Sequence, residues 1–237
     1  LIPDKRIKDI AVALLRQQSD RDKQKLIGAS DFSDPCSYHL AKKLLGQDSD
    51  IQKYWLGAKI GTGVHTVLED AIENADFTEL PELEGALVEK KITLGELPGY
   101  GVIKSKPDLA MVKGSHLVDW KTTLRPKSRK MQRVLFEDAN LSDMQYTLEK
   151  YYAQTQIYAW GLNLEGISID GISIVFVNRD GTTEDDVWSW TFDYDAAYAQ
   201  KCWDRLVTIW ESLVSGFTVD KFERHPECFK CNVTDPA

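Results

Sequence analysis

The chain of 237 residues is poor in histidine (four), methionine (three) and cysteine (four). So few cysteines in a chain of this length do not make the disulfide framework of a small secreted protein; they read as metal ligands or core thiols. No apolar run approaches the ~18 residues of a membrane span, and no internal repeat or low-complexity tract is present. Acidic residues outnumber basic ones, 37 to 29. The formal net charge of −8 argues against wholesale coating of nucleic acid, while leaving room for a local basic surface. The opening stretch LIPDKRIKDIAVALLRQ has neither the apolar core nor the small-residue cleavage site of a signal peptide, so a cytoplasmic location is expected. A start at Leu1 rather than methionine points to a trimmed chain.

What is present is the length and composition of one domain with a terminal elaboration. Apolar residues at helical spacing predict an amphipathic helix over 5–27, a short helix after Asp34-Pro35 that ends at Gly46, and a helix over 51–75. In the third, Gly61, His65 and Glu69 fall four apart on one stripe. Gly61 and Gly63 cost helix stability and imply close approach of another element to that face. Three strands are expected over 86–94, 100–112 and 116–122, with a turn at Gly95 to Gly99. Pro107 demands an edge or a bulge inside the second, just before Asp108. Ser142 to Gln145 has the pattern of a capping box and opens a helix to about Leu164. Two hairpin strands over 170–178 and 187–192 precede a helix over 194–215, whose apolar stripe takes in Cys202 as a core thiol.

The stretch KSKPDLAMVKGSHLVDWKTT, residues 104–123, carries the chemistry. Alternation along a strand puts Leu117, Asp119 and Lys121 on one face and Val118 and Trp120 on the other. Asp108 stands on the preceding strand. The run that follows holds Arg125, Lys127, Arg129, Lys130 and Arg133, the densest basic cluster in the chain. A solvated surface and a phosphate-binding patch are both open readings of it. Gln154 and Tyr158 share a helix face.

In this order and spacing the pieces resemble the PD-(D/E)XK nucleases of the RecB-like branch, close to CRISPR-associated and phage-encoded exonucleases. They are G-x3-H-x3-E (Gly61, His65, Glu69), Pro107-Asp108, D-x-K (Asp119, Lys121) and Q-x3-Y (Gln154, Tyr158). The family often has a glycine before the Pro-Asp pair, where this chain has Ser105-Lys106. The resemblance implies an α/β (α+β) fold, a central mixed sheet of about five strands flanked by helices in a restriction-endonuclease-like core. It implies Mg2+ or Mn2+ held by His65, Asp108, Asp119 and the main-chain carbonyl of Trp120. Lys121 would position or deprotonate water, and Gln154 and Tyr158 would orient Lys121 and the DNA backbone. The expected activity is metal-dependent exonucleolysis at DNA ends or single strands, in phage or bacterial recombination, repair or processing. A structure-specific endonuclease, or a DNA-binding recombination accessory protein with a vestigial core, would share these motifs, and a homo-oligomer or recombination partner fits either.

Cys36-x2-His39 and Cys228-x2-Cys231 give four nitrogen and sulfur ligands in two pairs, the pattern of a closed structural zinc site. Relatives often carry a 4Fe-4S cluster on one N-terminal cysteine and three near the C-terminus, but here the third C-terminal cysteine is missing. Zinc is therefore expected ahead of a cluster, with unliganded thiols as a third reading. The implied organisation is an N-terminal segment over 1–50 carrying half of this site, a nuclease core over 51–215, and a tail over 216–237 packing back on the first segment.

Overall fold

Residues 26–47 and 55–234, with residues 8, 9 and 12, are described in this computed structural model. Most of the amphipathic helix expected over 5–27 thus lies outside the described residues. In chain order the helices are α1 (Ala29–Phe32), α2 (Ser37–Leu44), α3 (Trp55–Glu73), α4 (Arg125–Phe136), α5 (Ser142–Leu164), α6 (Ala196–Val214) and α7 (Phe229–Thr234). The strands are β1 (Leu87–Val88), β2 (Ile92–Leu97), β3 (Gly101–Ser105), β4 (Leu109–Met111), β5 (His116–Thr123), β6 (Gly171–Asn178) and β7 (Val187–Asp193).

Five strands form a mixed sheet in the order β1-β4-β5-β6-β7, with β5 at its centre. β5 pairs antiparallel with β4 and parallel with β6, in a register that sets Asp119 opposite Ile174 and Lys121 opposite Phe176. A parallel pair needs a long crossover, and α4 and α5 supply it. The expected α/β core, a mixed sheet of five strands between helices, is what the chain builds.

The three strands expected over 86–122 are divided further. Pro107 ends the ladder after Ser105, so one predicted strand becomes β3 and β4, and β2 and β3 leave the main sheet as an antiparallel ribbon of their own. Ile92, Leu94, Leu97 and Ile103 of the ribbon are wholly buried, packed in one core with Ile157 and Leu162 of α5 and Leu206 of α6. Gly161 lets α5 come this close, because a Cβ there would lie 2.5 Å from Leu94 Cδ2. Gly61 plays the same part for α3, with only 3.1 Å between its notional Cβ and Thr122 Oγ1 of β5, whereas Gly63 has open space. Two further expectations change. The Ser142 hydroxyl does not cap α5 but donates to Glu227 Oε1 at 2.6 Å, and Leu141 is the N-cap. The basic run over 125–133 is helical, pinned by wholly buried Met131 against Ile174 and Phe176.

β2 carries a bulge between Thr93 and Gly95, and Gly95 has φ +152° directly beneath the Trp203 indole. A methyl group there would sit 2.5 Å from the ring. Gly95→Ala should therefore destabilise the fold by about 1–3 kcal/mol, the usual cost of overpacking, read as a lower urea midpoint with unchanged slope.

Candidate active site and cysteine cluster

Asp119 and Lys121 lie on the β5 face that meets α5. Asp119 is 1% exposed, and its Oδ2 is 2.5 Å from Lys121 Nζ. The contact is off the axis of a hydrogen bond, so this buried oxygen has a charge beside it but no aligned donor. Asp108 reaches the same point from the break between β3 and β4. Its Oδ2 accepts the Trp120 N–H at 2.8 Å, and its Oδ1 lies 3.2 Å from His65 Nδ1 on α3. The antiparallel β4–β5 ladder and the helix thus converge three side chains beside Lys121.

The electrostatics follow from this crowding. Burial, opposed by Lys121 and reinforced by Asp108, pushes the Asp119 carboxyl up to about 6. Burial also works against the charge on Asp108, but His65 and Lys121 outweigh it and hold that carboxyl below its ordinary value. For Lys121 burial is again opposed, and Asp119 and Asp108 keep the ammonium above its ordinary range. His65 is raised chiefly by its bond to Asp108. Two carboxylates and an imidazole are donors that suit a hard divalent cation, but the ligand atoms here that all lie within 4.8 Å of one another are those of His65, Glu69 and Glu89, not those of His65, Asp108 and Asp119.

Gln154 Nε2 donates to Tyr158 Oη at 2.7 Å. Both line, with His65, Asp108, Asp119 and Lys121, one cavity of about 720 Å³. The structure therefore brings all six predicted catalytic side chains to one place. Tyr151, not singled out in the sequence, lies under Lys121 with Nζ 5.2 Å from its ring centroid. Glu89 was missed too. Its ligand oxygen lies within 4.8 Å of those of His65 and Glu69, and its φ is +48°, an unusual backbone for a non-glycine residue. The motif glutamate Glu69 meets His65 as the four-residue spacing requires.

The basic run is placed differently from the acids. None of Arg125, Lys127, Arg129, Lys130 and Arg133 lines this cavity. Arg125 forms a two-point pair with Asp186 and donates to Thr182 Oγ1 at 3.1 Å, while Arg133 lies 3.4 Å from Glu137. The cations at the cavity are Lys91, Lys104 and Lys106, from in and beside the β2–β3 ribbon, with Lys121.

The second constellation lies where α2 and α7 meet. Ligand atoms of Cys36, Cys228 and Cys231 are all within 4.8 Å of one another, with Cys36 Sγ and Cys231 Sγ 3.5 Å apart. His39 joins through Cys228 and Asp34, likewise within 4.8 Å. Two thiolates on a tetrahedral zinc at ~2.3 Å stand about 3.8 Å apart, so the spacing suits a single ion. Backbone N–H groups of His39 and His225 each donate to Cys36 Sγ at 3.5 Å. The contact with Cys228 raises the Cys36 thiol, and the same contact draws Cys228 down to about 3. Such a cluster readily exchanges protons for a cation.

Asp34, read in the sequence only as a helix start, organises the surroundings. Its Oδ2 is 3.5 Å from His39 Nδ1 and accepts from Lys150 Nζ at 2.9 Å, and its Oδ1 accepts from Cys36 N–H at 3.0 Å and from Tyr146 Oη. A carboxylate behind a histidine nitrogen fixes the ring's tautomer and aims the other nitrogen. Arg205 of α6 ties down the same turn, donating to the carbonyls of Phe32, Asp34 and Pro35 at 2.6, 2.7 and 2.9 Å.

No family model and no curated protein matches the chain. Solved structures do. An alkaline exonuclease from Laribacter hongkongensis is 13% identical at a TM-score of 0.47, covering 83% of this chain and 91% of its own. The same enzyme in complex with dAMP gives 12% and 0.48 over the same shares. A structure from Eubacterium rectale, provisionally described as an exonuclease, gives 14% and 0.48 over 92% of this chain and 91% of its own. At such identities and TM-scores no role passes from them to this chain. No helix among the described residues is long and apolar enough to cross a membrane.

The Asp34 hub makes a pH-dependent contribution to stability. Burial would raise the Asp34 carboxyl, but His39, Lys150 and Tyr146 together hold it far below its ordinary 3.8. A depressed acid stabilises the fold above its unfolded pKa and loses that contribution as pH falls through the folded one. Asp34→Asn should cost about 3 kcal/mol or more at pH 7, as when a buried pair loses one member. The gap between wild type and variant in urea midpoint should narrow below pH 3.8.

Proposed function

We propose that this protein is a divalent-metal-dependent deoxyribonuclease of the PD-(D/E)XK kind, acting as an exonuclease on DNA ends or single strands in phage or bacterial recombination, repair or processing. The observation that carries the reading is that Asp108, Asp119, Lys121 and His65 line a single cavity, paired as His65–Asp108 and Lys121–Asp119. Asp108, Asp119 and His65, with the Trp120 carbonyl, would hold Mg2+ or Mn2+, which would supply an acidified water and positive charge toward a phosphoryl group. Lys121, held against Asp119, would position or deprotonate the attacking water and offset charge on the phosphate. Asp108 is fixed by the β5 backbone, and Gln154 and Tyr158, hydrogen-bonded to each other, line the same cavity as Lys121 and would orient it and the DNA backbone. Preorganised charge of this kind is the main lever in displacement at phosphorus.

End-labelled linear DNA and circular single-stranded DNA with Mg2+ or Mn2+ test the reading. Mononucleotide release from the linear substrate alone is expected, and Asp119→Ala and Lys121→Ala should each lower the rate by about 10²–10³-fold or more. Cutting of the circle would move the assignment to an endonuclease. Wild type no faster than both variants would leave a DNA-binding protein with a vestigial core.

We assign the cysteine cluster to structural zinc, held by Cys36, His39, Cys228 and Cys231. The support is the short separation of Cys36 and Cys231, since in a 4Fe-4S cluster each thiolate binds a different iron and stands further off. Elemental analysis of purified protein should give about one zinc per chain, lost in Cys228→Ala. A visible absorbance band from anaerobically prepared protein would instead mark iron and sulfide. The domain reading that follows has the core over 51–215 latched by the segments on either side.

A further inference from the structure

Beyond the acids, the cavity has a second built feature. The β2–β3 ribbon buries Ile92, Leu94, Ile103 and Ser105 on one face, so Thr93 and Lys104, which pair across it, stand on the other. Strand alternation carries Lys91 and Lys106 to the same outer face, and Lys91, Lys104 and Lys106 all line the cavity. Nearby lysines are matched with acids: Lys90 lies 3.0 Å from Glu165, and Lys43 and Lys113 pair with Asp31 and Glu84. Lys91 and Lys104 have no acid within ion-pair distance among the described residues, and Lys106 meets Glu89 only at 3.8 Å. Like charges close together on neighbouring strands repel, and a chain of negative charge would relieve them.

Beside the lysines the same wall is apolar and open. Leu26 is 40% and Val102 37% exposed. Both line the cavity, Val102 from the outer face of the ribbon and Leu26 from the segment before α1. Two residues of extended backbone, the step from Lys104 to Lys106 just past the end of β3, rise about 6.7 Å, comparable with one step of an extended nucleotide chain. Phosphates spaced along lysines, with an apolar lip beside them, suit a strand whose bases are free to turn aside. In a duplex those bases are paired and stacked, and only phosphates would be presented.

We propose that the outer face of the β2–β3 ribbon is the substrate track, binding single-stranded DNA with phosphates on Lys91, Lys104 and Lys106 and a base against Leu26 and Val102. The track, not α4, leads the strand to Asp108 and Asp119. This rests on reading the cavity as the nuclease site, and its test is a binding measurement that needs no turnover.

Fluorescence anisotropy of the full chain with a labelled single-stranded oligonucleotide, Ca2+ replacing Mg2+, reads the track directly. The double variant Lys91→Glu/Lys104→Glu should weaken binding at least about tenfold, and each lysine changed to alanine should lower the salt slope by about 0.7. Val102→Ser should weaken binding with the slope unchanged. Lys127→Glu/Lys130→Glu on α4 should leave it near wild type, and a blunt duplex of equal length should bind less tightly. Circular dichroism confirms that each variant is folded. Undiminished binding by the ribbon double variant, loss of binding in the α4 variant, or duplex bound as tightly as single strand would each overturn the proposal. If lysine dependence is found but Mg2+ and Mn2+ yield no cleavage, the track stands and the nuclease assignment falls.

Discussion

Two carboxylates and a lysine are buried at one point on the central strand, and the rest of the molecule is arranged to make that tolerable. Removing an ion from water costs several kcal/mol even after relaxation, and Asp119 is almost wholly enclosed. Lys121 sits between the acids, the Trp120 N–H and His65 satisfy Asp108, and the Tyr151 ring lies beneath the ammonium. The balance is still incomplete. Two acids against one fixed cation, with Glu89 close by, leave an excess of negative charge and a buried oxygen lacking an aligned donor. A site in that condition favours a cation.

α5 joins the two constellations. Tyr146 and Lys150 near its start hold Asp34, the carboxylate behind His39, and Gln154 and Tyr158 follow at successive four-residue steps on the same helix. Its burial on nearly all sides, against the ribbon, the sheet and α6, leaves little freedom to shift one end without the other. Order at the cysteine cluster and order at the acids are therefore mechanically related, although the groups belong to different sites.

The acids were legible because period-two alternation and a proline bulge are local signals. Asp119 and Lys121 declare a shared face, and Pro107 marks a break just before Asp108. The four-residue spacing of Gly61, His65 and Glu69 was equally local, and Gly61 does sit against Thr122. What could not be read was pairing. Nothing in residues 86–112 says that β2 and β3 abandon the main sheet and bring Lys91, Lys104 and Lys106 to the cavity, whereas a denser basic run stands openly beside the D-x-K pair. That run starts with Arg125, whose partner Asp186 lies 61 residues on. Asp34 was read as a helix start because Asp-Pro fits one, and its partners Tyr146 and Lys150 are 112 and 116 residues away. Glu89 depends on a left-handed backbone that no side-chain pattern announces.

The contact between Cys36 and Cys231 spans 195 residues. A chain made from its N-terminus has every strand of the sheet, and all of α5, in hand before Cys228 and Cys231 exist. The sheet and its buried charges can thus assemble first, and the cysteine cluster closes over a core already formed. Loop-closure entropy makes such a contact slow to find in an open chain but cheap once its ends are held together. The cluster is accordingly suited to be a final lock on the order of assembly rather than its nucleus.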